Sequence, residues 1–295
     1  MKILLSTDGS EYSIGAAKFL TNFNFSPDDE IFILHVISWV PVVSEWGVLY
    51  DNFKEIRDEV IPKILDSTAE ALKTVNAKVT TSFKEDYPDK AIVETAEESG
   101  VDLIVMGARG VKGIGSHIIG SVTKLVAINS HKPVLIINPP QEKLSGKINV
   151  LFAADGSVYS DEIAKVLSSI PFPDDTQITI LNVIARSFED IPERFVMEIN
   201  ERIKKIVAGM REKELKVSED IISRAQEALS NRFSKIEKLT KFGDPSIEIL
   251  HAAEAVHADI IAVGSSGMRG IKGMFGSVSR YILNHSGCSV LIGKS

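Results

Sequence analysis

The sequence is short of the residues on which several large classes of protein depend. Cys288 is the single cysteine among 295 residues, so no disulfide can form within the chain. It stands in the apolar run GCSVLIG, which predicts a buried strand residue rather than a nucleophile. No run approaches the roughly 20 apolar residues that a membrane-spanning helix needs. With 33 basic and 40 acidic residues the chain is mildly acidic, which disfavours general binding to nucleic acid or to an anionic membrane.

Familiar catalytic signatures are missing as well. The motif G-x4-G-K-[S/T] does not occur, which excludes a P-loop NTPase. Gly113-Ile-Gly115 begins like a dinucleotide fingerprint, but Ile118 stands where the last glycine is needed. The six histidines lack the spacing of metal ligands, and no positioned nucleophile stands out. We therefore predict no catalytic residue and leave open whether a metal ion takes part.

The N-terminal residues do not resemble a targeting segment. The apolar run in MKILLSTDGS stops at a polar turn, which predicts a first strand rather than a signal peptide. Hydrophobic residues make up 44% of the chain and charged residues 25%, as in ordinary globular proteins. These features and the length predict a cytoplasmic protein of about two domains.

The sequence does contain a repeat of about half its own length. ILLSTDGSEYS returns as VLFAADGSVYS, EIFILHVI as QITILNVI, and DLIVMG as DIIAVG. GSVTKLVAINSHKPVLII returns as GSVSRYILNHSGCSVLIG. Two copies of one domain, at 1–140 and 147–295, explain these matches, and the polar stretch NPPQEKLSGK suits the linker between them.

Each copy alternates apolar strands with segments of helical periodicity. Strands that are apolar throughout and separated by helices indicate a parallel sheet covered on both faces. The predicted fold class is therefore α/β, with two tandem doubly wound domains that bind ligands beyond the carboxyl ends of their strands. The heavily charged segment 187–235 predicts a solvated helical face, with a partner-binding helix as the alternative.

A glycine-rich loop, GARGVKGIGSHIIGS, follows the apolar run VDLIVM. Its pattern is Gly107-x2-Gly110-x9-Gly120-Ser121, and we expect Ser121 to be the N-cap of the next helix. Such a turn offers backbone N–H groups at a helix N-terminus, where the dipole favours phosphate. The alternative, glycines that serve only turns, is weakened because the loop returns after the same strand of copy two. The basic residues that add charge there are Arg109 and Lys112, and in copy two Arg269 and Lys272.

An aspartate ends the first strand of each copy, in TDGS and ADGS. We expect Asp8 and Asp155 to lie across the crevice from the phosphates, because the first strand of such a sheet neighbours the strand that carries the glycine loop. A carboxylate there can accept a hydrogen bond from an adenine amino group or a ribose hydroxyl, or hold a metal ion. The alternative is that it caps the following helix. Val36 and Val183 end the second strands and would lie beside a base.

Both copies resemble universal stress protein domains. The residues that carry the resemblance are DGSxxS, the HV or NV that ends the second strand, DLIVMG or DIIAVG, and the glycine spacing followed by KPVLII. The resemblance covers essentially the whole chain as a tandem pair. It implies a Rossmann-like fold of the adenine nucleotide alpha hydrolase type, with the last strands of the two copies paired as an internal pseudo-dimer.

The resemblance also implies a role for each matching residue. Asp8 and Val36 would contact adenine, and Met106 and Gly107 would lie at the ribose. Gly110, Gly120, Ser121 and Val122 would hold the phosphates. The matching residues of copy two are Asp155, Val183, Val263, Gly264, Gly267, Gly276, Ser277 and Val278. Copy two has one residue fewer between Gly267 and Gly276, which puts its hold on phosphate in doubt.

Three functions remain in competition. The first is a regulatory protein of the stress response that binds ATP or AMP, with or without magnesium, and hydrolyses it little or not at all. The second is a slow nucleotide hydrolase or an adenylyl-transferring enzyme on the same fold. The third is an interaction module that binds no nucleotide. The protein partner, and whether two chains associate further, are left open.

Overall fold

The computed structural model describes part of each copy. The backbone is described for residues 1–38, 47–110, 119–138, 147–185, 201–267 and 275–294, and side chains for the same ranges except 47–56 and 201–204. Below, copy one denotes the described residues up to 138 and copy two those from 147 onward. Lys112, Arg269 and Lys272, the expected loop cations, lie outside the described residues.

The two copies have the same order of elements. Copy one contains β1 (Lys2–Thr7), α1 (Glu11–Leu20), β2 (Glu30–Ile37), α2 (Gly47–Ala71), β3 (Lys78–Glu85), α3 (Pro88–Glu98), β4 (Leu103–Gly107), α4 (Ser121–Asn129) and β5 (Val134–Ile137). Copy two contains β6 (Asn149–Ala153), α5 (Val158–Ser169), β7 (Gln177–Ile184), α6 (Glu201–Ser230), β8 (Lys235–Phe242), α7 (Pro245–Ala255), β9 (Ile260–Gly264), α8 (Ser277–His285) and β10 (Ser289–Gly293). This alternation confirms the predicted α/β class.

All ten described strands join one continuous sheet, in the order β3-β2-β1-β4-β5-β10-β9-β6-β7-β8. Pairing is parallel within each copy and antiparallel where β5 meets β10. Leu135 lies opposite Leu291 at that junction, and both are fully buried. The predicted pairing of the last strands into an internal pseudo-dimer is therefore confirmed.

The helices cover the sheet in two layers, and each layer runs across both copies. One core cluster takes side chains from α1, α2, α5 and α6, and the other from α3, α4, α7 and α8. In the first layer Phe172 packs edge-on against Phe23 of copy one, with 5.1 Å between ring centroids, and lies 6.1 Å from Phe233. The backbone N–H of Asn24 also donates to the carbonyl of Pro171 at 2.7 Å. The copies thus share a core as well as a sheet.

Exposure increases towards the two outer edges of the sheet. No position of β3 or β8 is buried, and lysines and glutamates on both strands are exposed, which discourages pairing with another sheet. In α6, none of residues 205–217 is buried, whereas Ile222 and Leu229 reach the core. The predicted solvated helical face is therefore present along that stretch of α6.

The aromatic contact between the copies predicts a measurable cost of mutation. Phe172→Ala should lower the free energy of unfolding by about 3–5 kcal/mol, because it removes a fully buried ring from the shared core. Urea denaturation followed by circular dichroism measures this loss. Phe83→Ala, which removes a ring that is 44% exposed on the edge strand β3, is the matched control and should cost less than about 1 kcal/mol. Equal losses in the two variants would contradict a shared core.

Candidate functional site

The carboxyl ends of β1 and β4 lie side by side, because the two strands pair in parallel with Ser6 opposite Met106. β4 continues the sheet towards β5, while the chain leaves β1 towards β2 on the other side. This is the topological switch point at which doubly wound sheets bind ligands. β6 and β9 repeat the arrangement in copy two. The crevice is therefore bordered by the turn after β1 and by the glycine loop after β4.

The turn after β1 holds Asp8 in a fixed position. Asp8 Oδ1 accepts the backbone N–H of Ser10 at 3.0 Å, and Gly9 has a positive φ of 75°. The N-cap of α1 is Ser10, whose hydroxyl accepts the N–H of Ser13 at 3.3 Å. Asp155 and Ser157 make the same contacts in copy two. Serine therefore caps the helix in each copy, and the aspartate closes the turn with one oxygen.

The other oxygen of each aspartate faces the glycine loop. A Cβ placed on Gly110 would overlap Asp8 Oδ2, and one placed on Gly267 would lie 2.8 Å from Asp155 Oδ2. Real Cβ atoms do not approach an oxygen that closely, so any larger residue would displace the carboxylate or the loop. The structure thus brings together the aspartate and the second glycine of the motif in both copies.

The first glycine of the motif is required by packing inside the protein. A Cβ on Gly107 would lie 2.7 Å from the carbonyl carbon of Tyr12, and one on Gly264 would lie 2.8 Å from Tyr159 Cβ. The end of β4 therefore abuts the first turn of α1, and β9 abuts α5 in the same way. The need for glycine here follows from helix–strand contact, independently of any ribose.

The N-cap of α4 is Gly120, which corrects the expectation that Ser121 caps this helix. Gly120 has extended backbone angles, φ −62° and ψ 147°, and Ser121 is the first helical residue. Because the helix begins after the glycine, the Ser121 side chain is exposed and does not cap the N–H groups of the first turn. Gly276 and Ser277 repeat this arrangement at α8. Glycine has no side chain with which to cap either helix. The first N–H groups of a helix have no partner within the helix, and such groups can bind an anion.

Backbone contacts hold each N-cap glycine against the start of its loop. Gly120 N–H donates to the carbonyl of Ala108 at 2.8 Å, and the Thr123 hydroxyl donates to the carbonyl of Gly107 at 3.0 Å. In copy two the matching pairs are Gly276 with Ser265 and Ser279 with Gly264. The helix N-terminus is thereby fixed beside the strand end in both copies.

The remaining site residues from the sequence lie around this crevice. Val36 and Val183 are half-buried near the ends of β2 and β7. Met106 and Val263 are buried in the sheet, at the ends of β4 and β9. Val122 and Val278 stand in the first turns of α4 and α8, partly buried against the core. These six residues surround the crevice without contributing a polar side chain.

Two polar side chains that the sequence analysis did not single out fasten the second strand to the first. His35 Nδ1 is 2.8 Å from the carbonyl oxygen of Thr7, and Asn182 Nδ2 donates to the carbonyl of Ala154 at 2.7 Å. They precede Val36 and Val183 in the HV and NV pairs. The repeat could have revealed them, because a polar residue interrupts the second strand at the same position in both copies.

Arg109 packs on α1. Its Nη1 donates to the Tyr12 hydroxyl at 2.7 Å, and its guanidinium carbon lies 5.1 Å from the centre of the Tyr12 ring. In copy two the matching position is Ser266, which carries no charge. Arg269 and Lys272, the cations expected in that loop, lie outside the described residues.

Features typical of other sites are not found in the described residues. Within those residues no group of three histidine, cysteine, aspartate or glutamate side chains is arranged to hold a metal ion. No described helix is both long and apolar enough to cross a membrane. Cys288 lies just before β10 rather than in it, and burial raises the pKa of its thiol, which disfavours a nucleophilic role.

Comparison with protein families finds the Universal stress protein family twice, over residues 1–138 and 148–294. Universal stress protein MJ0531 of Methanocaldococcus jannaschii is 33% identical over 147 residues, which is 48% of this chain and 84% of that protein. YxiE of Bacillus subtilis is 34% identical over 46% of this chain and 97% of its own length. A solved universal stress protein of Archaeoglobus fulgidus covers 99% of this chain and 96% of its own, with TM-score 0.63 and 23% identity. The two-copy architecture is thus shared with a known structure.

The different roles of the glycines predict different effects of a single methyl group. Gly107→Ala should lower the free energy of unfolding by about 1–3 kcal/mol, because the methyl group would overlap backbone atoms of α1. Gly120→Ala should be nearly neutral, since its nearest neighbours would be 3.5 Å away. Urea denaturation of nucleotide-free protein measures both. A neutral Gly107→Ala would show that the strand end does not pack on α1 as described.

Lys294 predicts a pH dependence of stability beside the copy-two loop. Its Nζ donates to the carbonyl of Ile128 at 3.1 Å and lies 5.4 Å from the ring centre of Phe275, and burial lowers its pKa from 10.5 to about 8. The unfolded chain therefore holds more protons between these two pH values, so this group should make stability rise with pH across that window. Below it, the cost of burying the charge is present in full.

The measurement compares wild type with Lys294→Met by urea denaturation at a series of pH values. The unfolding free energy of wild type, relative to that of the variant, should rise between pH 8 and 10.5. Below pH 8 the difference between the two free energies should stay constant. Parallel curves throughout would show that Lys294 has an ordinary pKa in the folded protein.

Proposed function

The chain belongs to the universal stress protein family, and from that premise we propose that it is a regulatory protein of the stress response that binds ATP or AMP. The observation that carries the proposal is the repeated contact between an aspartate and a glycine loop beside a helix N-terminus without a capping side chain. It occurs at Asp8 with Gly110 and at Asp155 with Gly267. Each copy thereby places a hydrogen-bond acceptor and an anion site on the same crevice.

The two ends of a nucleotide suit these two groups. The amino group of adenine donates hydrogen bonds, and a carboxylate such as that of Asp8 can accept one. Phosphate oxygens are acceptors for the backbone N–H groups of Ser121 and Val122, and the helix dipole favours their charge. At Gly120 the absence of a side chain lets a phosphate approach the backbone of the N-cap.

The contacts of the site favour binding over turnover. A general base must be within hydrogen-bond reach of the water it activates. Asp8 accepts from the backbone of Ser10, and the Thr123 hydroxyl donates to the carbonyl of Gly107. Asp8 Oδ1 and the Thr123 hydroxyl thus hold the loops in place, and we expect Asp8 Oδ2 to accept the adenine amino group. We propose that the nucleotide sets the shape or the partners of the protein, with little or no hydrolysis.

The test identifies nucleotides released by denaturing freshly purified protein and titrates nucleotide-free protein with Mg-ATP and AMP by calorimetry. Wild type should bind adenine nucleotide with up to two sites per chain. Asp8→Ala should weaken binding to copy one by about tenfold, the effect expected from losing one charged hydrogen-bond acceptor. Asp155→Ala is the matched variant for copy two, and thermal unfolding of both variants checks that the domains remain folded.

Two results would overturn the proposal. No released nucleotide, together with no binding of millimolar Mg-ATP, would leave an interaction module that binds no nucleotide. Steady release of phosphate or pyrophosphate from ATP that Asp8→Ala abolishes would establish an enzyme instead.

A further inference from the structure

We propose that the two sites differ in their preference among adenine nucleotides, with Arg109 favouring a polyphosphate chain in copy one and Ser266 lowering that preference in copy two. This inference rests on the nucleotide-binding function proposed above and concerns the ligand preference of the same two sites. It follows from one position, next to the helix N-cap in both copies, at which the two loops carry chemically different side chains. It assigns that position as a determinant of specificity.

The position lies directly against the helix N-terminus in both copies. A Cβ on Gly120 would be 3.5 Å from Arg109 Cα, and a Cβ on Gly276 would be 3.3 Å from Ser266 Cα. These two glycines are the N-caps of α4 and α8, where the N–H groups that suit phosphate begin. The side chain at 109 or 266 is therefore anchored next to the predicted phosphate position.

In copy one this side chain is a cation with donors to spare. A guanidinium has five N–H donors, and the described structure uses one of them on the Tyr12 hydroxyl. The Tyr12 ring lies under the guanidinium and limits its motion. Arginine held in this way suits phosphate oxygens, which accept paired hydrogen bonds from its planar group. Its contribution grows with the negative charge of the ligand, so it favours ATP over AMP.

In copy two the same position has a neutral hydroxyl that lacks a partner. Ser266 is 4% exposed, and its Oγ makes no hydrogen bond within the described part of the chain. A buried hydroxyl in this state is unfavourable, and an oxygen of a bound ligand would relieve it. A hydroxyl supplies one hydrogen bond and no charge. Unlike Arg109, this position adds no attraction that grows with the number of phosphates, which lowers the preference of copy two for ATP over AMP relative to copy one.

The residue just before the N-cap also differs between the copies. Phe275 stands where copy one has Ile119. Phe275 is 8% exposed and is covered by Lys294, whose Nζ is 5.4 Å from its ring centre. A larger, buried side chain therefore lies beside Ser266 and the helix N-terminus of copy two.

The test isolates each site and then exchanges the two residues. Gly276→Val blocks copy two, and Gly120→Val blocks copy one, which leaves a single site for titration with ATP and with AMP by calorimetry. Arg109→Ser is then added to the Gly276→Val variant, and Ser266→Arg to the Gly120→Val variant. Arg109→Ser should lower the ratio of ATP affinity to AMP affinity by about tenfold, and Ser266→Arg should raise it in copy two. Thermal unfolding of each variant confirms that the fold is retained.

The outcomes separate this inference from the proposed function. Equal ATP-to-AMP ratios at the two isolated sites, or a loss in Arg109→Ser that is the same for both nucleotides, would overturn the selectivity and leave nucleotide binding intact. An absence of binding to wild type would overturn both. If both exchanges fail to fold, Arg109→Lys and Ser266→Ala replace them. The lysine variant should then keep a preference for ATP, and the alanine variant should weaken AMP binding at copy two.

Discussion

The antiparallel pairing of β5 with β10 is the interaction on which the rest of this molecule depends. Each copy ends in a short apolar strand that would be an exposed sheet edge if it were alone, and unpaired edges of this kind promote aggregation. Pairing buries Leu135 against Leu291 and leaves only the charged strands β3 and β8 at the edges. Because the pairing is antiparallel, the strands of the two copies run in opposite directions. Their carboxyl ends therefore lie on opposite sides of the sheet, along the strand direction. The sites are therefore separated by the same contact that joins the domains.

Much of this architecture could be predicted from the sequence, because the repeat marks equivalent positions twice. The apolar strands and their alternation with helices follow from burial and periodicity, and the pairing of VLII with VLIG follows from the resemblance to universal stress protein domains. The turn at Asp8 and the loop at Gly107 were found because glycine and aspartate recur at matching places. The position of the α4 N-cap was wrong by one residue, because an extended glycine can begin a helix as readily as a serine and Gly120 occupies that place.

Other features could not be predicted, because they depend on contacts between distant parts of the chain. Arg109 is held by Tyr12, which lies 97 residues away in sequence. The burial of Ser266 and the lowered pKa of Lys294 follow from packing between elements. The three motif glycines look equivalent in sequence, yet a Cβ would overlap α1 at Gly107 and a carboxylate at Gly110, whereas at Gly120 it would make ordinary contacts of 3.5 Å. Spacing locates such residues, whereas their separate roles require the folded backbone.

The junction between the copies also places residues of each copy close to the glycine loop of the other. A cleft of about 330 Å³, counting its space open to solvent, brings Arg109 and Ile119 of copy one together with Leu283 and Cys288 of copy two. On the other side, Lys294 reaches from copy two to the carbonyl of Ile128. A ligand that orders the start of either glycine loop would therefore act on residues that contact the neighbouring copy. A single domain lacks these contacts, so the tandem arrangement places residues beside both glycine loops at the contact between the copies.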